Sequence, residues 1–184
     1  AMTVTLFKWT LELYHQAIEA GVFDDQNLEL LRGELVIMPP EGEPHVYYSD
    51  RFAKVLLRLL AGRAQIREGR SITLPNNSEP EPDIAIVQPL DDVYLDHHPY
   101  PENIFWLIEY SRTTLAKDLG IKFEIYAEAG IREYWVVNLK DSELKVFRDP
   151  VGDRYQTELT LTEGAIAPLA FLDVQVEVRQ LFSR

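Results

Sequence analysis

Asp83, Glu109 and Lys122 are the residues of this chain whose types and spacing could do chemistry. Asp83 follows Pro82 at the head of an apolar run, Ile84-Ala85-Ile86-Val87, and Glu109 closes a second run that begins at Ile104. Such runs read as buried strands. An acid inside one is costly to bury unless it is paired or ligated. Two strands of this kind side by side would carry two carboxylates to a shared edge, a donor set suited to magnesium. Beyond Glu109, Asp118, Lys122 and Tyr126 recur every four residues, the spacing of one helix face. A lysine delivered to a two-carboxylate cation site fits phosphodiester hydrolysis, in which developing charge on phosphate must be stabilised. The competing reading is structural: a strand-entry turn after Pro82, a strand-end salt bridge at Glu109, and Lys122 or Lys117 paired along its helix with Asp118 or Glu124.

Further motifs stand in a fixed order around these residues. Gly33-Glu34-Leu35 and His45 come first, then Pro82-Asp83, Glu109 with Ser111, Asp118, Lys122 and Tyr126, and last Glu133-Tyr134-Trp135-Val136. Taken together, the series resembles the Uma-type family of restriction endonucleases within the PD-(D/E)XK nuclease superfamily. The resemblance implies a mixed α/β (α+β) fold with a restriction-endonuclease-like core, a central mixed sheet flanked by helices, and added β-hairpins. It implies catalysis by Asp83, Glu109 and Lys122, with Mg2+ (or Mn2+) held by Asp83, Glu109 and the carbonyl of Tyr110. Where the superfamily's commonest form has Glu-x-Lys, this chain has Glu109-Tyr110-Ser111. The lysine's role then passes to Lys122, the position the closer family implies. Glu34 and His45, matched to the same pattern, are candidates for an accessory ligand or a supporting hydrogen bond. The implied partner is nucleic acid, DNA foremost, and the two-fold symmetry of a duplex suits a homodimer.

Composition bounds these expectations. A chain of 184 residues, 46% hydrophobic, is long enough for one well-buried core and short for two, so residues 1–184 are expected to form a single domain. With no cysteine, disulfides and thiolate metal sites are excluded. No apolar run approaches a membrane span, and a cytoplasmic protein is expected. The net charge of -12 argues against indiscriminate binding to nucleic acid. That average hides a segregation. Arg51, Lys54, Arg58, Arg63, Arg67 and Arg70 gather in one short segment, while Glu79 to Asp96 holds six acids and no Lys or Arg. A basic face beside an acidic, cation-seeking edge suits an enzyme that handles a polyanion through a metal. Within the basic segment, Arg51, Lys54 and Arg58 are candidate nucleic-acid contacts.

The remaining pattern predicts the elements that must position the site. Thr10 caps a helix carrying Leu11, Tyr14, Ala17 and Ile18, and Gly21 ends it. Leu28–Leu31 and Glu34–Met38 read as a hairpin around Arg32-Gly33. Pro39, Pro40 and Pro44 predict a loop. His45 to Leu60 is an amphipathic helix with a Phe52, Val55, Leu56, Leu59 stripe. Gln65 to Leu74 supplies one or two strands, and Pro75-Asn76-Asn77-Ser78 turns the chain back toward Asp83. The adjacent His97 and His98 lack a spaced partner pair and read as structural. Thr113 or Thr114 caps the helix bearing Lys122, and Gly130 closes it. Glu133–Leu139 and Glu143–Phe147 form a hairpin around Lys140-Asp141-Ser142, followed by strands at Tyr155–Leu161 and Val174–Val178. Two readings compete with a nuclease: a non-catalytic scaffold of the same fold, favoured by the acidic charge, and a two-carboxylate glycoside hydrolase, for which no aromatic sugar groove is legible.

Overall fold

A computed structural model describes residues 2–111 and 119–184. Thr113, Thr114, Lys117 and Asp118 lie outside the described residues. The elements are α1 (Leu11–Glu19), β1 (Leu28–Leu31), β2 (Glu34–Ile37), α2 (Glu43–Leu59), β3 (Gln65–Glu68), β4 (Ile84–Val87), β5 (Ile104–Ser111), α3 (Ile121–Glu128), β6 (Glu133–Asn138), β7 (Glu143–Val151), β8 (Arg154–Leu161), β9 (Ala165–Ile166) and β10 (Val176–Glu177). Among the described residues, no helix is long and apolar enough to cross a membrane.

Six strands form one mixed sheet in the order β3-β4-β5-β6-β7-β8. Only β5 and β6 run parallel, because α3 crosses between them; the other neighbours are antiparallel. The central strands β4, β5 and β6 are buried along nearly their whole length, as continuous apolar runs covered on both faces must be. Phe52 and Leu56 of α2 pack on one face against Trp106, Ile108 and Trp135. On the other face, Ile125 and Tyr126 of α3 pack against Leu107, Tyr134 and Val136. The order α2, β3, β4, β5, α3, β6 matches the expected core, with β7 and β8 extending the sheet.

Local chemistry explains the element ends. The Thr10 side chain accepts a hydrogen bond from Leu13 N and caps α1. In the β1–β2 turn, Arg32 and Gly33 both have positive φ, 50° and 76°. A Cβ at Gly33 would come within 2.9 Å of the Trp9 carbonyl oxygen, so glycine is required there for space as well as for conformation. Arg32 then reaches α3, pairing with Glu124 at 2.8 Å and with Glu128. At the end of α3, Gly130 (φ 77°) donates to Ala127 O and Ile131 donates to Tyr126 O, a Schellman closure.

Two expectations need correction, and the one or two strands expected from Gln65 to Leu74 come out as one, β3. Pro44 lies inside the first turn of α2, not in a loop; the missing N–H is harmless there because first-turn amides have no intrahelical partner. Residues 69–74 are irregular after β3, apart from a single bridge between Leu74 and Ser78. The strand expected at Val174–Val178 shrinks to Val176–Glu177, paired with Ala165–Ile166 and followed by a 3-10 turn. Its alternating valines are buried as their spacing requires, but only a two-residue partner is available to pair with.

The Glu133 carboxylate anchors the far part of the sheet. Only 1% exposed, it accepts from Arg148 Nε and Trp135 Nε1, both at 2.8 Å, and from Leu169 N at 2.8 Å. One buried acid thereby ties β6 to β7 and to the segment leading to β10.

Candidate active site

The register of β4 on β5 decides where the two strand acids meet. Ile84 opposes Ile108 in an antiparallel pair, so one step further along Asp83 opposes Glu109. The period-2 alternation then sends both side chains to the same side of the sheet. Asp83 is joined to Glu109 and to its neighbour Tyr110 by a pair of hydrogen bonds. Asp83 N donates to Glu109 Oε1 at 2.9 Å, and Tyr110 N donates to Asp83 Oδ2 at 2.7 Å.

Lys122 reaches the same place from the first turn of α3. Its ammonium is 2.7 Å from Glu109 Oε2 and 3.2 Å from Glu29 Oε1, and all three side chains are at most 3% exposed. Tyr126, one turn on, donates its hydroxyl to Glu109 Oε2 at 3.1 Å. From the opposite side of the sheet, His45 in the first turn of α2 brings Nε2 to 2.9 Å from Asp83 Oδ1 and 3.5 Å from Glu41 Oε1. Neither approach is aligned as a hydrogen bond. Among the described residues, Glu41, His45 and Asp83 form a group whose potential ligand atoms all lie within 4.8 Å of one another.

These residues line a cavity of about 540 Å³ that also takes in Glu81, Tyr110 and the Met38–Gly42 loop. Five carboxylates, those of Glu29, Glu41, Glu81, Asp83 and Glu109, face one ammonium and one imidazole. Burial, with the Glu109 charge adding to it, pushes the Asp83 carboxyl up to about 7 despite the opposing pull of His45 and the Tyr110 amide. Burial alone would lower the His45 imidazole, but the Asp83, Glu41 and Glu109 carboxylates outweigh it and hold it above its usual range. Burial and the neighbouring Glu29 also raise Glu81.

These shifts set a pH dependence for chelator-treated protein. Both Asp83 and His45 bind protons more tightly folded than unfolded. Stability therefore falls as pH rises, from about 4 through 7 for the acid and onward through the raised imidazole value for His45. Asp83→Asn keeps an acceptor for the Tyr110 amide and removes the titration. Melting curves from pH 5 to pH 8 should show a loss on the order of 2 kcal/mol in the wild type and a clearly flatter profile in Asp83→Asn. Parallel profiles would mean that the pair is not the source.

Other residues singled out from the sequence lie elsewhere. Glu34 is exposed and pairs with Lys8, away from the cavity lining. On α2, Lys54 is held by Asp50 at 2.9 Å, Arg51 donates to the Ser183 carbonyl, and Lys54 and Arg58 are exposed. His97 stacks on Tyr100 with centroids 4.0 Å apart, as a structural residue would. Ser111, at the position of the commoner motif's lysine, is fully buried. Three cavity acids escaped the sequence reading: Glu29, Glu41 and Glu81. Glu29 carried the same signal as Glu109, an acid within the apolar strand Leu28–Leu31. Glu41 stands four residues before His45, just ahead of the α2 N-cap, in a stretch whose prolines read as a loop.

A six-stranded mixed sheet of this order, flanked by α2 and α3, has the architecture expected of a restriction-endonuclease-like core. It is similar to the crystal structure of a "putative nuclease" from Anabaena variabilis, with a TM-score of 0.66 and 14% identity, covering 84% of this chain and 89% of that one. At that identity the likeness concerns the fold. Residues 11–179 match the Uma2 family, described as "Putative restriction endonuclease", and the chain belongs to that family. Comparison with curated proteins gives no match.

Proposed function

We propose that this protein is a divalent-metal-dependent endonuclease that hydrolyses phosphodiester bonds in nucleic acid, with duplex DNA as substrate. The observation that carries the reading is the meeting of Asp83, Glu109 and Lys122 at one end of β4 and β5. The donors suit Mg2+ or Mn2+: hard carboxylate oxygens in excess over cationic groups, in a cavity that would otherwise repel a phosphate. Asp83, Glu109 and the Tyr110 carbonyl would hold the ion. When bound, it neutralises the scissile phosphate and acidifies a water. Glu109 keeps Lys122 facing the cavity, and Tyr126 fixes Glu109 in turn. Lys122 supplies a fixed positive charge to the phosphate in a site largely closed to solvent. Arg51, Lys54 and Arg58 of α2 are the proposed contacts to flanking phosphates. A homodimer in the cytoplasm completes this reading.

Incubation of purified protein with plasmid and short duplexes, with and without Mg2+ or Mn2+, tests the proposal. Cleavage should require the ion and fall at least about a hundredfold in Asp83→Ala and in Glu109→Ala, with calorimetric ion binding lost in both. Nucleic-acid binding without cleavage in any ion would instead establish a non-catalytic scaffold.

A further inference from the structure

We propose that the cation site is completed by Glu41 and His45, which with Asp83 form a mixed nitrogen and oxygen chelate selecting a first-row transition ion of the Mn2+ class over Mg2+. This rests on the metal-dependent reading above and deepens it. The cavity favours adding this chelate because Glu109 has little capacity left to give the ion. Its Oε1 accepts from Asp83 N, and its Oε2 accepts from both Lys122 and Tyr126. Asp83, by contrast, gives Oδ2 to the Tyr110 amide and turns Oδ1 toward His45 and Glu41.

The spacing of the three donors fits an ion. With metal–ligand bonds of about 2.1 Å, neighbouring ligand atoms stand about 3.0 Å apart in an octahedron and about 3.4 Å apart in a tetrahedron. His45 Nε2 lies 2.9 Å from Asp83 Oδ1 and 3.5 Å from Glu41 Oε1. That nitrogen is shielded from solvent and aligned as a hydrogen bond with neither carboxylate. The potential ligand atoms of all three residues lie within 4.8 Å of one another, close enough to share one ion.

Local structure holds two of the donors and leaves the third adjustable. Gly42 is the N-cap of α2 and Pro44 lies in its first turn, fixing the backbone on both sides of Glu43. The His45 ring lies beside Tyr110, centroids 6.1 Å apart, and its side chain is only 14% exposed. Glu41, half-exposed, can close on an ion that enters from solvent. The positive end of the α2 dipole opposes a cation here, but it amounts to about half a charge against two full carboxylate charges. Selectivity follows from the donor types. Imidazole is a ligand of first-row transition ions, best for Fe2+ to Zn2+ and accepted by Mn2+, the hardest of the series, whereas Mg2+ prefers oxygen alone and keeps its waters.

Calorimetry on the chelator-treated full chain, titrated separately with Mn2+ and Mg2+, tests the inference together with electron spin-echo spectroscopy of bound Mn2+. Mn2+ should bind at least about tenfold more tightly than Mg2+, with a nitrogen modulation from a directly bound imidazole. In His45→Gln that signal and the preference should vanish while Mg2+ affinity changes less than about threefold, and Glu41→Gln should weaken Mn2+ by about tenfold. His15→Gln, at a histidine that pairs with Glu79 instead, is the control and should keep both. Thermal melts of each variant separate lost binding from lost folding. Equal affinities for the two ions, or a preference retained in His45→Gln, would overturn the chelate alone. Absence of any divalent-ion binding by the wild type would overturn the metal-dependent function as well.

Discussion

Replacing Lys122 with methionine should reduce phosphodiester cleavage by two or more orders of magnitude and also destabilise the fold. The first effect is the loss of a fixed charge from a site closed to water, on the order of 10²-fold or more. The second comes from burial. The ammonium sits between Glu29 and Glu109, all nearly inaccessible, so its removal takes from two buried carboxylates the cation they share. Breaking a buried pair from one side costs roughly 3–5 kcal/mol. Burial thus makes Lys122 a structural residue as well as a candidate catalytic one. The two effects can be separated by adding Glu29→Gln, which removes one of the stranded charges. The double variant should regain much of the lost stability in urea denaturation and none of the cleavage. Near-normal cleavage by either variant would remove lysine from the mechanism.

Glu133→Ala should be at least as damaging to stability, by about 3–5 kcal/mol, while leaving ion binding intact below the melting transition. The carboxylate is the shared acceptor for Arg148, Trp135 and Leu169. Alanine leaves a guanidinium only 17% exposed without its partner, together with an orphaned indole N–H. Glu133→Gln, which retains an acceptor, should lose less. Denaturation in urea measures both, and a loss under 1 kcal/mol in Glu133→Ala would contradict the role assigned. A loss of the expected size with ion binding intact would assign the Glu133-Tyr134-Trp135-Val136 run to the fold's frame and not to its chemistry.

The parts legible from the sequence were those governed by local periodicity. The β4 and β5 runs, the amphipathic α2, the capped start of α1 and the Gly130 closure of α3 follow from apolar spacing and from a few cap residues, so their positions could be stated in advance. The meeting of Asp83 and Glu109 needed the register as well, and register depends on pairing between distant segments. Glu29 illustrates the limit. Its burial is visible only once the β1–β2 hairpin docks on α3 through Arg32, a contact spanning ninety-two residues. Val174–Val178 shows the reverse error, since perfect alternation describes which face is buried but cannot create a partner strand. Pro44 was misread because proline forbids helix interiors and tolerates first turns, and the sequence alone did not mark where the turn began.

The pair of bonds joining Asp83 to Glu109 and Tyr110 has a mechanical meaning. Where the β4–β5 ladder runs out of peptide partners, each acid spends one oxygen as a substitute rung. The acidic groups are thus the clasp that keeps the sheet from fraying at this end, and they cannot wander while the two strands stay zipped. Chemistry at such a place would inherit the stiffness of the sheet itself, and a cation arriving there would find these oxygens already held still.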